Sequence, residues 1–176
     1  TLRIISNFFH NKETYSAEDS IDLQLSDRIS YDKQVLEQLV PILEKKTAGM
    51  EPYQIKALEA LKQWDGRSSL EAVGPTIFYE LLAFVGLNLF NDELAANDIN
   101  KFQQTSAYLG TIINLINKPS SPWWDNRNTL YKEVRDDIVF ESFLQATTNI
   151  TIYNGSNIDN WQWKHMHIYE AKHPVG

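Results

Sequence analysis

Residues 75–90 read Pro75-Thr-Ile-Phe-Tyr-Glu-Leu-Leu-Ala-Phe-Val-Gly-Leu-Asn-Leu-Phe90. Apolar side chains fall on nearly every side of this stretch at helical spacing, and a helix that is apolar all round has to be enclosed by protein. Pro75 suits a first helical turn, where its missing N–H has no partner to lose. Asn91-Asp92-Glu93 stops the pattern. The run from Leu81 to Phe90 is about half of the ~20 residues a membrane-spanning helix needs, so it reads as the buried centre of a helical protein.

Working outward, Ser16-Ala-Glu-Asp19 has the form of a capping box, and a helix over about 17–27 would bury Ile21 and Leu25. A second helix starts near Tyr31, with Val35, Leu36, Leu39, Val40 and Leu43 as its stripe. Pro41 within it predicts a kink or a break. Thr47-Ala-Gly49 is a stop, and Pro52 opens a helix carrying Ile55, Leu58, Leu61 and Trp64 down to Asp65-Gly66. Past residue 90, a helix over about Ser106–Asn117 ends before Pro119. Asn128 or Thr129 can cap a long helix with Leu130, Val134, Ile138, Val139 and Phe143 inside and Lys132, Glu133, Arg135 and Asp136 outside. Asn154-Gly155 is a turn. Trp161 and Trp163 share one face if the end of the chain is extended, so Trp161–His173 reads as a strand for a sheet that no other part of the chain supplies.

The chain has 176 residues, 43% hydrophobic and 22% charged, which is globular composition. A formal charge of −7 argues against nucleic acid, whose phosphates call for a basic stripe. The absence of Cys removes thiolate nucleophiles, thiolate metal sites and disulfides, and leaves periplasm and cytosol both open. Thr1-Leu-Arg-Ile-Ile is not a signal peptide, and nothing in the sequence calls for a membrane.

Five pieces then occur in a characteristic order: Arg3; Ser16-Ala-Glu-Asp19 followed by Val40-Pro41-Ile42-Leu43; Trp64-Asp65-Gly66; Trp123-Trp124-Asp125; and Trp161-x-Trp163 leading to His167 and His173-Pro174. The set resembles the central-to-late part of the β-chain of the penicillin acylase family, the penicillin amidases. Lys164 departs from the pattern, since relatives commonly place Gly after the second Trp.

The resemblance implies a mostly α fragment of an αββα N-terminal-nucleophile hydrolase: a helical region at 1–157 and a strand segment at 158–176 returning to the parent sheet. It implies an amidohydrolase that cleaves the amide of an N-acyl substrate, penicillin or related, through an N-terminal Ser whose α-amine is the base. That nucleophile lies outside this chain, which is expected to be inactive alone. The other reading is a helical binding or scaffold module without chemistry. By resemblance, Arg3 is the one supporting catalytic residue, calcium is bound in the parent, the partners are the remaining α- and β-chain segments, and the parent is periplasmic or secreted. No cofactor or metal residue is assigned within the chain.

Other candidates carry a plainer reading. Thr1 could be an N-terminal nucleophile, but the resemblance has no processing site there. His165, His167 and His173 could be metal ligands, yet no acidic or Cys cluster accompanies them. The five Trp residues could line a ligand groove and more often anchor a core. Glu80 could be an acid of raised pKa, or could reach an edge or pair with Arg or Lys. Asn149-Ile-Thr151 and Asn154-Gly-Ser156 match glycosylation sequons.

Overall fold

The computed structural model describes residues 14–26 and 32–166, together with Ser6, His10 and Ile168. The helices are α1 (Ala17–Gln24), α2 (Asp32–Glu44), α3 (Pro52–Gln63), α4 (Gly74–Phe90), α5 (Ala96–Gln103), α6 (Ala107–Ile116), α7 (Arg135–Asn154) and the single turn α8 (Trp163–Met166). Short 3-10 turns occur at Thr47–Gly49, Pro122–Trp124 and Ile158–Asn160. The chain is mostly helical, as its periodicity requires.

None of the 17 residues of α4 is exposed. The longest neighbour of α4 is α7, which runs along it, while α3 and α6 close other sides and α8 covers part of it. Helix α7 turns Ile138, Val139, Ser142, Phe143, Ala146, Thr147 and Ile150 inward at helical spacing. Several polar residues along this contact pair with one another. Asn88 donates to Ser142 Oγ and Gln145 Oε1, both at 2.9 Å, and Asn149 donates to the Glu80 carboxylate. Glu80 therefore has an Asn partner rather than Arg or Lys. Gln54, only 4% exposed, reaches Thr147 Oγ1 at 3.1 Å and ties α3 to α7.

Several expectations change in the structure. The capping box is present, with Asp19 N–H donating to Ser16 Oγ and Ser16 N–H to Asp19 Oδ2, but Ile21 and Leu25 are 52% and 77% exposed. No described element covers α1, which has no buried residue. Helix α2 runs unbroken through Pro41, whose side chain is exposed, and buries Ile42 where Val40 was expected. Helix α5 carries only Ile99 as a buried residue, and its eight residues are too few to show a helical period in the sequence.

Two larger corrections remain. The long helix begins at Arg135, not at residue 128 or 129. Residues 126–134 are instead a loop around Glu133, which is 7% exposed rather than on the outer side: its Oε1 accepts from Thr129 Oγ1 at 2.7 Å and its Oε2 from Asn126 N–H at 3.1 Å. Leu130 stands fully in solvent. The second correction concerns the end of the chain. Among the described residues there is no strand, and Trp163–Met166 form a helical turn. The Trp163 and Lys164 N–H groups donate to Ala72 and Leu70 carbonyls at 2.8 and 3.0 Å, so this segment finds backbone partners in the loop ahead of α4 rather than in a sheet. His167 and residues 169–176 lie outside the described residues.

Candidate functional site

The Trp-containing motif pieces lie toward the two ends of α4, about 25 Å apart for a helix of this length. At its start, the corner Trp64-Asp65-Gly66 turns the chain back. Gly66 takes φ 83°, Asp65 Oδ1 accepts from Arg67 N–H at 3.0 Å, and the Trp64 indole N–H donates to the Arg67 carbonyl at 2.7 Å. Only glycine adopts that positive φ without steric cost. The Trp64 ring lies 5.2 Å from that of Phe78, and Trp163 lies 5.3 Å from Tyr79 one residue further on. The structure thus brings Trp64-Asp65-Gly66 and Trp161-x-Trp163 onto one patch.

At the other end, Trp123 packs edge-on against Phe90 at 5.8 Å. Trp124 is buried, and its indole N–H donates to the Lys118 carbonyl at 2.9 Å. Asp125 Oδ1 accepts from Glu133 N–H at 3.2 Å, starting the loop around Glu133. Trp161 repeats the device: it is fully buried, and its indole N–H donates to the Gly155 carbonyl at 2.8 Å. Three indoles therefore each pin one loop carbonyl beside the core. A buried tryptophan needs a partner for its N–H, and a loop carbonyl at a core edge needs a donor, so one bond satisfies both.

Charge is used in the same structural way. Lys46 Nζ lies 2.7 Å from Asp137 Oδ1, and this hydrogen bond holds the Asp137 carboxyl below its ordinary value. Lys62 bridges Glu44 and Glu59 at 2.9 and 3.0 Å, and these carboxylates raise the affinity of its amine for the proton. The buried hydroxyls of Ser142 and Thr147 donate to the Ile138 and Phe143 carbonyls at 2.6 and 2.7 Å, which occupies them as helix-bound donors rather than nucleophiles. His165 is exposed, and Arg3, Thr1 and His173 lie outside the described residues.

Penicillin amidase is the description of the family profile that matches residues 2–176. The chain belongs to this family. It is also similar to acyl-homoserine lactone acylase QuiP of Pseudomonas putida, 28% identical over 73% of this chain and 16% of the relative. The QuiP proteins of Pseudomonas aeruginosa and Pseudomonas fluorescens are each 27% identical, over 65% and 77% of this chain and 14% and 18% of their own lengths. The chain thus spans less than a fifth of the curated relatives it matches. In this penicillin amidase family member, the ordered Trp motifs serve as loop pins around α4. Lys164, the departure from the pattern, sits in a helical turn, and among the described residues only glycines have positive φ. Asn149 and Asn154 are both engaged, with Glu80 and with the Asn160 carbonyl. Among the described residues no three His, Cys, Asp or Glu side chains are grouped to hold a metal ion, so no calcium ligand is assigned to them.

Proposed function

We propose that this chain is the helical supporting part of an amidohydrolase that cleaves the amide of an N-acyl substrate through an N-terminal Ser lying outside these residues. The observation that carries the reading is the penicillin amidase match over residues 2–176, joined by relatives named as acyl-homoserine lactone acylases. On this reading 1–157 is the helical region and 158–176 the segment returning to the parent. Arg3 helps to organise the active site, calcium is bound by parent residues beyond the described ones, and the parent works in the periplasm or is secreted. The partners are the remaining α- and β-chain segments and a small N-acyl amide. An N-acyl-homoserine lactone and a penicillin are both substrates of the right class, since each presents an acyl group on a secondary amide.

The mechanism needs a hydroxyl next to its own amine and fixed donors for the tetrahedral oxyanion. The buried hydroxyls of Ser142 and Thr147 are bound to helix carbonyls, which fits a supporting role. The test is to express the full gene product, assay it on N-acyl-homoserine lactones and on penicillin, and then replace the N-terminal Ser of its processed β-chain. Amide cleavage lost on that replacement is the expected result. The 176-residue chain by itself should leave a chromogenic phenylacetyl amide intact. Turnover by that chain, abolished by Thr1→Val, overturns the reading and makes Thr1 the nucleophile.

A further inference from the structure

Two of the clefts on the described surface differ in character. The larger, of about 750 Å³, lies between α2 and the end of α3, and its cation Lys62 already bridges Glu44 and Glu59. The smaller, of about 550 Å³, lies at the far end of α4 and has a different character. Phe90, Phe102, Leu115 and Trp123 form its apolar wall, with Phe90 5.3 Å from Phe102 and 5.8 Å from Trp123, both edge-on. Thr111, Asn114 and Lys118 follow along one side of α6 and just past it, at the i, i+3, i+7 spacing of a single helical face.

The polar groups here divide cleanly. The Thr111 hydroxyl donates to the Ala107 carbonyl, and Ser121 Oγ accepts from Trp123 N–H. Asn114 and Lys118 have no side-chain partner among the described residues, and both are exposed at the rim. An aromatic wall beside a free ammonium and a free amide matches one kind of small molecule: an apolar body ending in a carboxylate. Apolar clefts of a few hundred Å³ with a few convergent polar groups are the usual form of a small-molecule site.

We propose that this groove binds an apolar carboxylic acid, an aryl- or alkyl-carboxylate whose body lies on Phe90, Phe102 and Trp123 and whose carboxylate meets Lys118 and Asn114. The inference does not depend on the amidohydrolase reading, because it rests on the groove alone. Trp123 is 41% exposed at the lip, so its indole N–H reports on occupancy.

The experiment titrates the 176-residue chain, labelled with 15N-tryptophan, with 4-phenylbutyrate and separately with its primary amide, and follows the Trp123 indole signal by NMR. The acid should bind about tenfold tighter than the amide, the scale of a hydrogen bond to a charged group. Lys118→Gln should abolish that preference and Lys118→Arg should keep it. Lys118 is exposed beyond the end of α6, so both variants retain the fold, which the dispersion of the other indole signals verifies. Equal affinity for acid and amide, a preference surviving in Lys118→Gln, shifts at other indoles with Trp123 unmoved, or no binding at millimolar ligand each overturns the proposal.

Discussion

The indole of Trp64 occupies the space that a side chain at Gly74 would need: a Cβ built there would stand 2.7 Å from Trp64 Cδ1 and closer still to Cγ. The close approach seats the Trp64-Asp65-Gly66 corner on the first turn of α4, and it explains why α4 begins with a residue that favours helix so poorly. Gly74→Ala should therefore lower stability by about 1–3 kcal/mol, as overpacking does. Gly110, exposed in α6, has no atom within 4 Å of such a Cβ, and Gly110→Ala should raise stability by about 0.5–1 kcal/mol. Urea midpoints of the two variants, moving in opposite directions, check this relationship.

Trp161 is fully buried and lies 6.2 Å from Tyr53 in an edge-on contact. Trp161→Ala should cost about 3–5 kcal/mol through the cavity it leaves. Trp161→Phe keeps much of the packing but deprives the Gly155 carbonyl of its donor, and should cost less. Chemical denaturation that ranks the two variants in this order, with Trp163→Ala disturbing mainly the contact on Tyr79, supports the docking of the terminal segment.

The Lys46–Asp137 pair predicts a pH dependence of known sign. Its hydrogen bond lowers the folded carboxyl below the ordinary 3.8, so the stabilisation is fully present above that value and is lost as pH falls through the lower folded one. The side chains are 33% and 47% exposed, which limits the pair to about 0.2–1 kcal/mol. Asp137 also accepts from Val134 N–H at the start of α7. Asp137→Asn should accordingly melt earlier than the parent at neutral pH, with the difference closing in acid below 3.8. Melting curves across that range give the comparison, and a difference that widens in acid would contradict the assignment.

Glu133 organises the loop ahead of α7, and its removal leaves Asn126 N–H without its acceptor, while Thr129 Oγ1 keeps the Tyr131 and Asn126 carbonyls. Glu133→Ala should cost about 1–3 kcal/mol through the Asn126 amide left unpaired. Amide exchange should rise over residues 126–134 while the interior of α4 keeps its protection. Uniform loss of protection would instead make this loop part of the global core.

How far the sequence is legible varies along the chain. The all-round apolar run of α4 and the apolar periods of α6 and α7 demand helices because no other arrangement buries them, and the structure has all three, with α7 starting only at Arg135. The capping box of α1 was equally readable, since it needs only Ser16 and Asp19 three residues apart. Its burial was not, because covering Ile21 and Leu25 depends on what packs against them. Arg3, the one catalytic assignment, rests on family resemblance and lies outside the described residues. The free pair Asn114 and Lys118 carries no sequence signature, since separation from the aromatic residues of α4 and α5 hides the groove until the chain is folded.

By itself the sequence determined the helical class, the family and the positions of the Trp corners, because periodicity and ordered motifs are local or linear properties. Tertiary structure alone decided that Glu133 turns inward, that Trp163–Met166 is a helical turn, and that three indoles pin loop carbonyls. The helical turn depends on partners distant along the chain, since Trp163 N–H meets Ala72 and Trp163 rests on Tyr79, whereas Glu133 and the indoles bond within three to seven residues but face a core that only folding assembles. A Trp-x-Trp pair reads as a strand when only its own spacing is considered. It becomes helical where the loop before α4 offers the carbonyls that a neighbouring strand would otherwise supply.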